Sequence, residues 1–445
     1  MGRYLARLGP RRLALGGADL VLMAMHSPWK GAGRSNNALL VVRCDGPIAP
    51  DHVRAALDRF LDVCPWPAAR LRRFPLGKLH WAAGRRAALA RPHVRHCAVS
   101  TPGTLHALLE AELGSAIDPS REPPVRFLIA DEEDVRGPTR CTLVLTWFHP
   151  LMDPRGAQTF LAQLSCLDQR DGRAPWGPGP APFLPAPADP RPLRERGRQA
   201  RRSLAYMRTL AVAPPVSPGT GRAPYGPARF RRESFAEREG GRRGAHATRA
   251  ISWRLAIVGK AMAELWRRRG LPDTPFLLPV SADLRPKGEP GPIFGNQLAF
   301  HFARFRPSET GDVAVLARAL RRQMASAVRD GQIEANRVAM DFLQYRPVRS
   351  MLRALPWTSG GEVFSFNCAD IMDLPPALAR CFGRRVQNAY HVPAIQPRPG
   401  IGVFFNRCAG TNNLVVSWVD GAVDPTEVAR IVEVVREGMG WISIG

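Results

Sequence analysis

Between residues 175 and 190 the sequence places seven prolines in sixteen positions, and glycine and alanine fill most of the rest. Proline has no backbone N–H for a helix or a sheet ladder, so this stretch reads as a connector. It divides the chain into two lengths, each mixing strand and helix patterns without strict alternation. That arrangement predicts α+β layers in both halves. The expected division is a first subdomain over 1–175, a connector over 176–248 and a second subdomain over 249–445. A basic helix is expected inside the connector at 193–211. Residues 212–248 are again rich in Pro, Gly and Arg and predict little regular structure.

In the first half, residues 38–43 have strand character. Pro50 then opens a helix pattern with Val53, Ala56, Leu57, Phe60 and Leu61 on one face. Short strands are expected near 69–73, 79–82 and 93–99, a helix over 103–114, and longer strands over 125–130 and 141–148. A further helix is expected over 156–167. In the second half the spacing predicts a helix over 252–269 and strands at 276–280 and 300–305. A helix follows over 311–329, then strands at 362–368, 401–406 and 413–419, and a closing helix over 425–439. The length of 445 residues suits two cores better than one.

The formal net charge is +25. Only residues 30, 78, 260 and 287 are lysine, so nearly all of the basic excess is arginine. A GC-rich coding bias produces such an excess without any function; the functional reading is an anionic partner, because arginine's planar fork binds phosphate bidentately. An anionic membrane surface and a phosphopantetheine-bearing donor both fit that charge. Nucleic acid is not indicated, because no recognition motif with interleaved aromatic residues accompanies the arginines. The eight cysteines show no CxxC spacing and several lie in apolar runs, which predicts buried free thiols and no metal site. No apolar run approaches the ~20 residues of a membrane span. The expected location is the cytoplasm.

The segment that carries chemistry is Leu143-Val144-Leu145-Thr146-Trp147-Phe148-His149-Pro150-Leu151-Met152-Asp153-Pro154-Arg155-Gly156. An apolar strand delivers His149 at its end, and Asp153 follows four residues later at the start of a helix. An imidazole there can act as a general base near neutral pH. A histidine at a strand end also serves purely structural roles, and spacing does not separate the two.

This loop resembles the HHxxxDG loop of the superfamily of condensation domains, wax ester synthases and chloramphenicol acetyltransferases. The similarity continues in order along the chain. It includes Leu15-Gly16-Gly17-Ala18-Asp19 with the apolar run after it, and residues 55–73. It also includes Pro279-Val280-Ser281-Ala282-Asp283-Leu284-Arg285-Pro286, Phe294-Gly295-Asn296-Gln297 and Phe364-Ser365-Phe366-Asn367. Two positions depart from the pattern: Phe148 stands at the first His and Pro154 at the Gly. Pro154 has no N–H to donate to an oxyanion.

The resemblance implies a chloramphenicol acetyltransferase-like pseudo-dimer of two similar sheet-plus-helix halves in a V, with His149 at their junction. It implies an acyltransferase in which His149, as general base, lets an amine or alcohol attack an acyl thioester directly, with no acyl-enzyme. The donor would be an acyl-CoA or an acyl or peptidyl carrier protein, and no bound cofactor or metal is required. Asp153 would support the loop by pairing with Arg285. Asn296 would shape the channel or a crossover. Ser365 and Asn367 would either make polar contacts near the thioester or pack as ordinary strand residues, and His301 and His391 would be structural. Pro154 also allows a second reading, a relative without turnover that binds a carrier protein or a synthase partner.

Overall fold

A computed structural model describes residues 12–26, 35–73, 79–84, 90–132, 140–168, 189–210, 215–220, 226–237, 247–287, 289, 291–345, 362–393, 395–396 and 398–443. Most of the proline-dense stretch, 169–188, lies outside them. The first half runs β1 (Arg12–Ala14), α1 (Gly17–His26), β2 (Asn37–Cys44), α2 (Pro50–Val63), β3 (Arg70–Arg73), β4 (Leu79–Ala82), β5 (His93–Val99), α3 (Pro102–Gly114), β6 (Val125–Glu132), β7 (Arg140–Phe148) and α4 (Pro154–Asp168). Next come α5 (Leu193–Leu210), β8 (Ala228–Glu237), α6 (Ala247–Arg268), β9 (Phe276–Asp283), β10 (Leu298–Phe305), α7 (Val313–Arg329) and α8 (Gln332–Asp341). The chain continues through β11 (Asn367–Asp373), β12 (Arg380–Cys381), β13 (Arg384–Val392), β14 (Ile401–Cys408), β15 (Thr411–Val419), α9 (Pro425–Met439) and β16 (Trp441–Ser443).

Two larger sheets organise the molecule. The first has the order β12-β13-β2-β7-β6-β5, and the second β11-β14-β15-β8-β16. Strand β7 is central because every residue from Cys141 to Phe148 is buried. A run that is apolar except for Thr142 and Thr146 and buried throughout suits a strand covered on both faces. One core lies around α2, α4 and the first sheet, where Phe60 meets Phe160 edge to face at 5.0 Å. The other joins both sheets with α6 and α9, bringing Val144 and Leu39 together with Val403 and Val415. Residues Val53, Ala56, Leu57, Phe60 and Leu61 of α2 are all buried, as their spacing requires.

The two halves are less separable than composition implies. Strand β13 belongs to the second half, yet it pairs with β2 in the first sheet, His391 opposite Leu40 and Val392 opposite Leu39. Strand β8 lies within the span assigned to the connector, yet it is an interior strand between β15 and β16. Its arginines conceal it in the sequence. Arg229 bonds to Glu110 and Asp420, and Arg231 to Glu233, so charged side chains flank a strand that buries Phe230 and Phe235. The expected strand at 362–368 begins later, at Asn367. Helix α8, which has no counterpart among the expected elements, follows α7 after a turn at Gly331, whose φ of 63° favours glycine.

Candidate active site

Strand β7 ends at Phe148, and one turn of 3₁₀ helix, His149–Leu151, leads to α4. The backbone fixes this turn on several sides. His149 N–H donates to the Asn36 carbonyl at 2.8 Å, and Gly295 N–H donates to the Leu151 carbonyl at 2.8 Å. The buried Trp147 donates its Nε1–H to the Met152 carbonyl at 2.8 Å. Proline at 150 suits the first turn of a short helix, where its missing N–H has no partner to lose.

Asp153 caps α4. Its Oδ1 accepts the Gly156 N–H at 2.8 Å, and its Oδ2 accepts the Gln297 N–H at 2.9 Å. Arg285 supplies the counter-charge, with Nη1 3.0 Å from Oδ2 and Nη2 3.1 Å from Oδ1. Both side chains are buried, at 0% and 1% exposed. With four contacts from three residues, Asp153 is fully occupied in holding the loop. Pro154 takes the first helical position, where proline is favoured. Gly156 is required by contact, because a Cβ there would lie 2.3 Å from the Ile293 carbonyl oxygen.

His149 is half-buried and lines a cavity of about 1510 Å³. Burial pulls its pKa below the ordinary histidine value and outweighs the opposing influence of its own carbonyl, the Asp153 charge and the Asn296 amide. The imidazole is therefore neutral at pH 7, the state a general base needs. Its Nδ1 is buried and makes no hydrogen bond of full geometry.

The positions expected at the site separate. His149, Asp153, Arg285 and Asn367 line the cavity. Asn296 does not, and instead sits behind His149, donating Nδ2–H to the His149 carbonyl at 3.0 Å and to Asp19 Oδ1 at 2.7 Å. Ser365 is fully buried and its hydroxyl oxygen accepts the Leu277 N–H at 3.2 Å, away from the cavity wall. Asn367 Nδ2 reaches Gln396 Oε1 at 3.5 Å.

Two residues join the site that spacing did not single out. Asp19, on α1, accepts from the backbone and side chain of Asn296 and from Gly16 N–H at 2.7 Å. No cation pairs with it among the described residues, and burial raises its pKa to about 6. His391, on the crossover strand β13, lies 3.1 Å from Gln158 Nε2 and packs edge-on to Trp147 at 5.9 Å. Burial and the nearby His149 hold its pKa down to about 3, so it stays neutral. Its proximity to the loop depends on the strand exchange between halves. His301 on β10 is buried, and burial lowers its pKa.

Among the described residues no cluster of His, Cys, Asp and Glu could hold a metal. All eight cysteines are free, and burial pushes the Cys408 thiol up to about 11, which keeps it unreactive. No described helix is long and apolar enough to cross a membrane.

This architecture is the chloramphenicol acetyltransferase-like pseudo-dimer found in condensation domains. No protein-family model and no curated protein matches the sequence. Solved structures match across nearly the whole chain. The TRI3 trichothecene 15-O-acetyltransferase of Fusarium sporotrichioides is 10% identical at a TM-score of 0.67, covering 96% of this chain and 94% of that one. A mutant starter condensation domain of rhizomide synthetase RzmA, in complex with C8-CoA and Leu-SNAC, is 16% identical at 0.64, with the same coverage. The epimerization domain from the third module of tyrocidine synthetase B is 12% identical at 0.59, covering 96% of this chain and 95% of that one.

Proposed function

We propose that the protein is an acyltransferase that moves an acyl group from a thioester to an amine or alcohol. The observation that carries this reading is the placement of His149. A neutral imidazole faces a large cavity, while the carboxylate next to it in the loop is committed to Arg285 and to the cap of α4. Such an imidazole can take the acceptor's proton as the acceptor attacks the thioester carbonyl. The nitrogen–carbon or oxygen–carbon bond forms, and the thiolate leaves with the donor's arm. A thioester is already activated, so positioning and one base suffice. The donor is an acyl-CoA or an acyl carrier protein, and Asn367 and Gln396 are the candidate polar contacts along the wall.

The competing reading, a carrier- or synthase-binding relative without turnover, rests on Pro154, which removes an N–H from the loop. One experiment separates them. Purified protein is mixed with a series of acyl-CoAs or acyl carrier proteins and a panel of amines and alcohols, and products are detected by intact mass. Acyl transfer that disappears in His149→Ala supports the acyltransferase. Carrier binding with no product in any combination supports the other reading.

A further inference from the structure

Helices α5 and α7 carry ten arginines and one glutamate, so +9 of the chain's formal +25 sits on elements of 18 and 17 residues. A uniform arginine bias would not concentrate charge in this way. The two helices share one side of the second half. Arg202 of α5 donates to the carbonyl of Asp330, the residue that ends α7. Arg304 of β10 donates to the Thr209 carbonyl of α5 at 3.4 Å, and Gln323 of α7 bonds to the Arg304 backbone at 2.7 and 3.0 Å. Of the ten arginines only Arg196 is not exposed. Arg194, Arg198 and Arg201 form no ion pair among the described residues.

Apolar side chains stand among these charges. Leu193 is 69% exposed, Leu204 54% and Val328 65%. Leu204 is also a wall of the cavity, together with Ala200 and Met207 from the same helix. Tyr345 is likewise both exposed and part of the wall. The cavity therefore reaches the surface beside the basic face.

We infer that the α5–α7 face docks on an anionic lipid bilayer. Exposed leucine and valine set among arginines is the pattern of an interfacial helix, in which the apolar groups enter the headgroup boundary and the guanidinium groups meet lipid phosphates. An 18-residue helix spans about 27 Å, which lays the charge along a surface and does not focus it at one point. A bilayer held there would lie at the rim of the cavity, so an apolar substrate could enter from lipid without crossing water. The remainder of α5 is anchored firmly enough to act as a platform. Asp189 just before it, half-buried with its side chain covered, holds Arg191 at 2.6 Å and Arg337 of α8 at 2.9 Å.

The test is flotation of the full chain with vesicles of phosphatidylcholine alone and of phosphatidylcholine and phosphatidylglycerol in equal parts. Binding is expected only to the second and should weaken with salt, since the Debye length shrinks from ~10 Å at 0.1 M to ~3 Å at 1 M. The triple change Arg194→Glu, Arg198→Glu, Arg201→Glu should weaken binding by about a hundredfold or more, from the loss of three cations near the surface. Reversal of Arg380, Arg384 and Arg385 on the edge of the first sheet alters net charge equally and should leave affinity nearly unchanged. Circular dichroism of both triple variants checks that each is folded. Leu193→Asp with Val328→Asp should remove the binding that survives high salt. Equal weakening by the two triple reversals, or absence of binding to either vesicle, overturns the inference. So does binding to an acidic acyl carrier protein with none to vesicles. The readout is binding and not turnover, so this outcome is independent of acyl transfer.

Discussion

The side-chain amide of Asn296 joins Asp19 to the turn that carries His149: one N–H donates to Asp19 Oδ1 at 2.7 Å and the other to the His149 carbonyl at 3.0 Å. The backbone N–H of Asn296 also donates to Asp19 Oδ1, at 2.8 Å. Helix α1, the 295–297 segment and the end of β7 thus meet at one amide. Asn296→Ala would leave a buried carboxylate and a carbonyl each short of a donor, at about 1–3 kcal/mol for each unsatisfied group. Chemical denaturation should show that loss. Turnover should fall while the KM of the acyl donor changes little, because Asn296 does not line the cavity. A fall in donor affinity alone would assign Asn296 to the binding surface instead.

His149→Ala should leave the fold intact and reduce turnover by roughly 10²–10⁴, the usual contribution of a general base. The pH profile supplies a second measurement. The base must be unprotonated, so kcat/KM is lost as pH falls through the pKa of His149. Burial places that pKa below the ordinary 6.5. The acidic limb should therefore lie on the acid side of 6.5. A limb above 6.5, or wild-type turnover in folded His149→Ala, removes His149 from the role of base.

Asp153 and Arg285 are both buried, so losing either partner strands the other. Arg285→Ala or Asp153→Ala should destabilise the protein by about 3–5 kcal/mol. The double substitution should cost less than the sum of the singles, since neither charge is then left alone. Purely additive losses in a double-mutant cycle would show that the two side chains do not depend on each other.

Gly156 sets the approach of α4 to the 293–295 segment. Gly156→Ala would place a methyl group 2.3 Å from the Ile293 carbonyl oxygen, and backbone on both sides must shift. Overpacking of this kind costs typically ~1–3 kcal/mol. Because the same shift moves the cap at Asp153, turnover should fall together with melting temperature. A fully stable, fully active Gly156→Ala would mean that the two segments can separate freely.

Apolar β7, the Pro-bracketed turn and the one-sided face of α2 are local signals, and each stands where spacing places it. The pairing of Asp153 with Arg285, 132 positions apart, was legible only through the ordered resemblance along both halves. Strand β8 was missed because its arginines look like solvated linker, although Glu110, Asp420 and Glu233 neutralise them in the fold. His391 was missed as a neighbour of His149 because β13 crosses between halves, and no periodicity encodes such an exchange. Of the two readings open for Ser365, a thioester contact or strand packing, its place in the core fits the second, since its hydroxyl oxygen accepts the Leu277 N–H.

Asp19 gives the last prediction, a pH dependence of stability. Its folded pKa is about 6, against an ordinary value of 3.8, because burial opposes its charge more than three N–H donors favour it. Between these two values the folded protein holds a proton that the unfolded chain has released. Folding then takes up a proton, so rising pH weakens it. The contribution of Asp19 is thus most favourable below 3.8, declines as pH rises from there to about 6, and is constant above. Asn cannot ionise, so Asp19→Asn removes this dependence while keeping one oxygen to accept from Asn296. Unfolding free energies of the two proteins, measured across pH 4–7, should differ by an amount that shifts in favour of Asp19→Asn as pH rises. A difference that stays flat through this window, or moves in favour of wild type, would show that Asp19 is already ionised in the folded protein at low pH.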